Sequence, residues 1–322
     1  MRIVGLRVTI KDIARESGYS VSTVSRVLNN RNDVSPDARK KIEEVVAKFN
    51  FVPNNNAKHL KQNNSKAIGV LVKGISNMLF ASVVEEIQRM IEKTEYTLVV
   101  SYLDEDADEV EQAILLCRER KPLGLLFLGG NPEYFHREFS GVDVPCVLVT
   151  NRANEMHFEN LSSVATDDIA AARCAVDQLF VAGHRRIGIL GGDFDKSYTS
   201  HQRFLGCEQS FSEHGAVLDV EHCYEKARFS FGSACRAMKR LIGKFPDVTA
   251  VFAMSDVMAI GAIRALRDLG YRVPEDVSVI GFDGTSLAEY YNPKLATIKQ
   301  QHQTLANRSF EILFGQIELK KE

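Results

Sequence analysis

Four residues between positions 21 and 26 have the types and spacing needed to contact DNA bases. They occupy positions i, i+1, i+4 and i+5 of a predicted short helix and share its outer face: Val21, Ser22, Ser25 and Arg26. A helix fits the major groove of DNA, where short side chains allow a close approach and an arginine can bind a guanine or a phosphate. The same arrangement occurs on other small helical hairpins, so the surrounding sequence has to decide its meaning.

Two short helices around a tight turn would position these side chains. Thr9 can cap the first helix, Gly18 can form the turn, and Ser20 can cap the second helix. The apolar residues fall on the opposite faces: Ile10, Ile13 and Ala14, then Val24, Val27 and Leu28. This pattern predicts a helix-turn-helix.

A third helix is predicted from Ser35 to Asn50. Ser35 can cap this helix and Pro36 suits its first position. Its apolar residues recur on one face: Ile42, Val45, Val46 and Phe49. Residues 53–64 begin with a proline and are rich in asparagine and lysine, which is typical of a linker. We therefore predict an all-α DNA-binding headpiece over residues 1–52 and a hinge over 53–64.

Charge is distributed unevenly along the chain. Residues 1–64 carry 12 Lys and Arg against 6 Asp and Glu, a net charge of +6, whereas the remainder carries 28 against 36, a net charge of −8. The formal charge of −2 for the whole chain conceals this difference. A basic segment that coincides with a helix-turn-helix indicates the part of the chain that binds nucleic acid.

Residues 65–322 alternate short apolar runs with amphipathic helical stretches. The predicted strands are 66–72, 96–102, 124–130, 144–149, 162–168, 185–192, 250–254 and 276–282. Such alternation predicts parallel sheets covered by helices, with strands that are apolar on both faces. We expect two α/β lobes, which together make an effector-binding and dimerisation domain.

Polar or aromatic residues follow several of these predicted strands. In parallel sheets, ligands bind in loops beyond the carboxyl ends of the strands. Four such places are residues 76–80, Asn151-Arg152, Ser255-Asp256 and Asp283-Gly284. They form one site only if the predicted fold brings them together.

Several segments resemble the LacI/GalR family of bacterial transcription regulators. They include TIKDIARESGYSVSTVSRVLN, VSPDARKKIEEVVAKFNFVPN, SNMLFASVVEEI, GHRRIGILGG, SDVMAIGAIRAL and VPEDVSVIGFDG, so the resemblance covers nearly the whole chain. It implies a homodimer that binds double-stranded operator DNA through Thr9, Val21, Ser22, Ser25, Arg26 and Asn29. It also implies DNA contacts from the hinge, at Asn54, Ala57 and Leu60, with Leu60 inserted into the minor groove.

The resemblance further implies that the two lobes are similar to a periplasmic sugar-binding protein, with the chain crossing between them three times. The implied effector-binding residues are Phe80, Asn151, Arg203, Ser255, Asp256 and Asp283. The chain departs from the usual family residues at Met78, Ser255 and Gly284, where proline, asparagine and a second aspartate are common. Because most members of the family bind a sugar, the resemblance implies a sugar or sugar phosphate as the effector, and the departures leave a purine or a protein corepressor as alternatives.

The motifs of common enzyme classes are missing from the sequence. It contains no Gly-rich phosphate loop, nucleophile elbow or histidine pair at metal-ligand spacing, so neither catalysis nor a cofactor or metal is expected. The six cysteines form no CxxC motif and are predicted to be reduced and buried. No apolar run approaches 18 residues, which favours a cytoplasmic protein over a membrane protein.

Two other hypotheses remain open. A sugar-binding receptor or enzyme of the same lobed fold would bind a ligand without binding DNA. An architectural DNA-binding protein would bind DNA without responding to any metabolite. If the protein is a regulator, its effector is either an inducer that releases the DNA or a corepressor that tightens DNA binding.

Overall fold

A computed structural model describes residues 10–28, 34–49, 66–74, 76–153 and 156–320. Contacts divide the chain into two compact units, Met1–Asn64 and Ser65–Glu322.

The first unit contains three helices around a small core. They are α1 (Ile10–Ser17), α2 (Val21–Leu28) and α3 (Pro36–Lys48). Gly18 adopts a φ of 77° between α1 and α2, which suits glycine. The predicted caps at Ser20 and Ser35 are confirmed, because Ser20 Oγ accepts from the Thr23 amide at 3.1 Å and Ser35 Oγ from the Ala38 amide at 3.4 Å. The predicted cap at Thr9 lies outside the described residues. The buried core consists of Ile13, Ala14, Val24, Val27 and Ile42.

The second unit contains two parallel sheets of five strands each, which define two lobes. Lobe 1 has the strand order β2-β1-β3-β4-β5. Its strands are β1 (Ala67–Lys73), β2 (Thr97–Leu103), β3 (Gly124–Leu128), β4 (Cys146–Val149) and β5 (Leu161–Val164). Its first helices are α4 (Met78–Ile91), α5 (Glu109–Arg120) and α6 (Pro132–Glu138), followed by a 3₁₀ turn at Phe139–Gly141.

Lobe 2 repeats this strand order, as β7-β6-β8-β9-β10. Its strands are β6 (Ile187–Gly191), β7 (Tyr224–Lys226), β8 (Ala250–Ala253), β9 (Ser278–Asp283) and β10 (Ala296–Lys299). Its helices are α7 (Asp168–Val181), α8 (Tyr198–Glu213), α9 (Val220–Cys223), α10 (Phe231–Lys244), α11 (Asp256–Asp268) and α12 (Ser286–Tyr290). Strands β3, β4, β6 and β8, which lie inside the sheets, are buried throughout, as expected for parallel sheets covered on both faces.

The chain passes between the lobes twice over residues 66–320. It passes from β5 to α7 and returns from β10 to α13 (His302–Leu319), which packs in the core of lobe 1. The two passages are hydrogen-bonded to each other, because Thr166 Oγ1 donates to Gln300 Oε1 at 2.7 Å. The resemblance implies three passages, and these residues contain two of them.

The predicted strand over 162–168 is too long. The strand ends at Val164 because Asp167 caps α7, accepting the Ala170 amide at 3.1 Å. The prediction that the cysteines are buried is also only partly right. Cys146 and Cys207 are buried, Cys174 is exposed, and all six thiols are free.

The described residues contain no helix long and apolar enough to cross a membrane.

Candidate functional site

A cavity of about 620 Å³ lies between the two lobes. Its wall is formed at the carboxyl ends of strands from both sheets. Lys73 is the last residue of β1 and Gly74 follows it, while Gly129 follows β3 and Gly192 follows β6. The order of each sheet reverses direction at β1/β3 and at β6/β8, and such switch points are where ligands bind in α/β sheets.

Aromatic rings from both lobes form part of the wall. Phe80 of lobe 1 packs against Gly129, where an added Cβ would lie 3.2 Å from the ring. Phe229 of lobe 2 packs in the same way against Gly192, at 3.1 Å. Glycine at these positions therefore leaves room for the rings. Aromatic side chains with a few fixed polar groups are typical of small-molecule sites.

Arg203 lines the cavity but is held firmly by lobe 2. Its Nε donates to Asp168 Oδ1 at 2.8 Å, and Nη1 donates to the Met254 carbonyl. Its guanidinium lies 3.7 Å from the centre of the Phe282 ring. Burial raises the pKa of Asp168, while the charge of Arg203 acts in the opposite direction. The arginine is thus fixed in place at the cavity wall.

Four of the residues predicted to bind an effector lie behind the wall. Asn151 donates from Nδ2 to the Gly130 carbonyl at 2.5 Å and accepts from Thr199 Oγ1 at 3.0 Å. Ser255 caps α11, accepting the Met258 amide at 3.2 Å. Both side chains thus bind backbone groups next to the cavity and do not point into it.

Asp256 and Asp283 are the other two residues behind the wall. Asp256 Oδ2 accepts from the amide and the hydroxyl of Thr285, at 2.7 and 2.8 Å. Asp283 Oδ1 accepts from Gln300 Nε2 at 2.8 Å, and burial raises its pKa to about 7. Gln300 itself lines the cavity, so Asp283 orients a wall residue in this structure.

Several wall residues were not predicted from the sequence. They are Lys73, Glu105, Asp106, Tyr134, Asp193, Tyr198, Arg228, Phe229 and Gln300. Glu105 and Asp106 follow a correctly predicted strand, so the rule applied to the other loops would have found them. Arg228 and Phe229 follow β7, whose three residues are too few to be recognised from a sequence pattern.

The residues predicted to contact DNA on α2 lie away from the core. Val21 is 41% exposed, Ser22 and Arg26 are exposed, and Ser25 is partly buried. Val24 and Val27 on the opposite side are buried, so α2 has one face that points away from the core of its own unit. The predictions for Thr9, Asn29, Asn54, Ala57 and Leu60 lie outside the described residues.

Comparison with known proteins places both units in one family. Residues 9–54 match bacterial regulatory proteins of the lacI family, and residues 176–322 match the periplasmic binding protein-like domain. The HTH-type transcriptional regulator MalR of Clostridium butyricum is 39% identical over 311 residues, which cover 96% of this chain and 92% of MalR. The chain belongs to the LacI family of bacterial transcription regulators.

Solved structures of this family have the same fold. The Lac repressor bound to ONPG in the repressed state aligns with a TM-score of 0.73 and 25% identity, covering 98% of this chain and 94% of that one. The complex of the transcriptional regulator CelR with cellobiose aligns with a TM-score of 0.69 and 26% identity, with the same coverage of 98% and 94%. The predicted family and fold class of this LacI-family regulator are thereby confirmed.

Proposed function

We propose that this regulator is a repressor that binds a palindromic operator as a homodimer and is controlled by a small carbohydrate in the cavity between its lobes. The observation that carries the proposal is the cavity itself, where aromatic and polar side chains from both sheets meet. The ligand in the CelR complex supports a carbohydrate.

The chemistry of the wall suits a ligand rich in hydroxyl groups. A hydroxyl both donates and accepts hydrogen bonds, and the wall offers cationic donors, carboxylate acceptors and amide side chains. Phe80 and Phe229 supply apolar surface for the C–H faces of a sugar ring. Among the predicted effector residues, Phe80 and Arg203 would contact the ligand. Asn151, Ser255, Asp256 and Asp283 would support the wall.

DNA binding is assigned to the first unit. In this proposal residues 1–52 bind DNA, 53–64 form the hinge, and 65–322 bind the effector and dimerise. Val21, Ser22, Ser25 and Arg26 would contact bases, together with Thr9 and Asn29, while Asn54, Ala57 and Leu60 would act at the hinge. A twofold dimer requires a palindromic site, with half-sites about one helical turn apart. Transcriptional control of this kind takes place in the cytoplasm and requires no enzymatic activity.

The two functions are linked through the arrangement of the lobes. An effector that prefers one arrangement shifts the population toward it and so changes the affinity for DNA. A 100-fold change in operator affinity corresponds to about 2.7 kcal/mol, and the operator must change effector affinity by the same factor.

Selection of binding sites from random DNA tests the proposal. Duplexes of about 20 base pairs accommodate two half-sites one turn apart. The full-length protein is used alone and with cellobiose, glucose 6-phosphate or adenine. A palindrome whose recovery changes with cellobiose would support a carbohydrate-controlled regulator. A change with glucose 6-phosphate alone or adenine alone would instead indicate a sugar phosphate or a purine. Recovery of no sequence in any condition would contradict the proposal.

A further inference from the structure

Two loops on the same side of the cavity meet across the lobes. One follows β2 in lobe 1 and the other follows β7 in lobe 2, each an edge strand of its sheet. Arg228 Nε donates to Glu105 Oε1 at 2.8 Å, and the guanidinium also contacts Asp104 and Asp106. One cation of lobe 2 is therefore surrounded by three carboxylates of lobe 1.

Glu105 differs from its two acidic neighbours because it also binds the backbone of lobe 2. Its Oε2 accepts from the Phe229 amide at 3.2 Å, while Oε1 accepts from Arg228. The Glu105 side chain is 26% exposed, whereas those of Asp104 and Asp106 are 61% and 81% exposed. Glu105 is thus the carboxylate that water screens least.

These bonds fix the position of a wall residue. Phe229 follows Arg228 directly, and its ring lies against Gly192 at the cavity. A further bond joins the lobes nearby, from Asn131 Nδ2 to the Lys196 carbonyl at 3.3 Å. The contact between Glu105 and the 228–229 segment therefore joins the lobes where Phe229 forms the wall.

We propose that Glu105 and Arg228 form a cross-lobe latch that positions Phe229 in the wall and holds the lobes together around the cavity. The latch rests on the proposed function, since it gives the cavity its effector-dependent closure. Partly exposed ion pairs are weak, so the latch can open and close reversibly. Within the latch, Glu105 and Arg228 act as positioning residues, which hold Phe229 in the wall and keep the lobes closed.

Hydrogen exchange of the Phe229 amide reports on the latch directly. It is measured on the full-length protein without added carbohydrate, in the wild type, Glu105→Ala, Arg228→Gln and the double variant. We expect each single change to speed exchange at Phe229 about tenfold, because the amide loses a charged acceptor or the partner that holds it. The double variant should exchange no faster than the single ones, since both substitutions break one unit.

Two controls separate the latch from general loss of structure. Arg308→Gln removes an exposed arginine that pairs with Glu311 within α13, and it should leave exchange at the Phe229 amide unchanged. Amides of the buried strand β8 should keep their protection in every variant. Glu105→Gln retains an acceptor for the amide but loses the charge, so its effect should be intermediate.

Unchanged exchange at Phe229 in both single variants, or independent effects that multiply in the double variant, would overturn the latch. Carbohydrate plays no part in this measurement. Failure of the latch is therefore distinguishable from failure of the proposed function, which the DNA selection tests.

Discussion

Arg203 and Asp168 form an ion pair of 2.8 Å in which both side chains are almost fully buried. Arg203 lines the cavity, whereas Asp168 begins α7, directly after the first passage between the lobes. The pair therefore connects the cavity wall to the segment about which the lobes would move. Removing the arginine would also leave a buried carboxylate without its cation.

This geometry determines how Arg203 should be tested. Arg203→Ala is expected to cost about 3–5 kcal/mol of stability, so a lost effector response would be ambiguous. Arg203→Lys keeps a positive charge for Asp168 but loses the planar stack on Phe282. We expect this variant to bind operator normally and to need about tenfold more effector.

The measurement for Arg203→Lys is operator release or retention as a function of cellobiose concentration, followed by fluorescence anisotropy. Arg272→Lys is the matched control, because Arg272 pairs with Asp276 on the surface and away from the cavity wall. A dose response identical to that of the wild type would remove Arg203 from the set of effector contacts.

Arg26→Ala should weaken operator binding by roughly 1–3 kcal/mol and relax sequence preference in both half-sites. Arg15→Ala is the control, since Arg15 is exposed on α1 and pairs with Asp12. Titration of operator and random duplexes at one fixed salt concentration measures the effect. Equal losses on both duplexes would show that Arg26 contacts phosphate and does not contribute to sequence preference.

Asp283→Asn should change how stability depends on pH. Burial raises the pKa of Asp283 to about 7 from its ordinary 3.8, so the folded protein binds this proton more tightly than the unfolded chain. The resulting stabilisation is complete below about pH 4 and is lost as the pH rises to about 7. As the pH rises from about 5 to about 7.5, the free energy of unfolding of the wild type should therefore fall by a few kcal/mol relative to that of Asp283→Asn.

Urea unfolding at these two pH values provides the measurement. Asp276→Asn is a control of opposite sign, because hydrogen bonds from Arg272 lower the pKa of Asp276 to about 2. Its contribution is lost only below about pH 4, so the difference between wild type and Asp276→Asn should stay constant over this range. If the stability difference between the wild type and Asp283→Asn is also constant over this range, the carboxyl group of Asp283 in the wild type does not titrate there.

Leu313→Ala should destabilise the second unit by about 2–5 kcal/mol, because Leu313 is completely buried in the core of lobe 1. Leu319→Ala, on the same helix and 73% exposed, should change stability by less than about 0.5 kcal/mol. Chemical denaturation of both variants measures these changes in the free energy of unfolding. Similar small effects would mean that α13 contributes little to lobe 1.

Local signals explain what could be predicted from the sequence. The ends of α1, α2 and α3 depend on Gly18, Ser20 and Ser35, whose effects act within one helical turn. The buried strands were recognisable because parallel strands are apolar on both faces. The placement of Phe80 and Arg203 at the cavity follows from the family resemblance.

Tertiary contacts explain what could not be predicted. Asn151, Asp256 and Asp283 do lie at or just beyond the ends of strands, but partners distant in sequence turn their side chains inward. Ser255 is occupied locally, because it caps α11. Arg228 reaches Glu105 across 123 positions of sequence, a separation that no local pattern records. The docking of α13 on lobe 1 is non-local in the same way.

The return of α13 to lobe 1 sets an order of assembly during synthesis. Tyr96 of lobe 1 donates to Glu318, which follows it by 222 positions. All of lobe 2 is translated between β5 and α13, which takes on the order of ten seconds at ordinary rates. Lobe 2 is one continuous segment and can fold as it emerges from the ribosome. Until α13 is synthesised, the surface of the lobe 1 sheet that Leu305 and Leu313 will cover stays exposed. The nascent chain is therefore most vulnerable to aggregation at this surface.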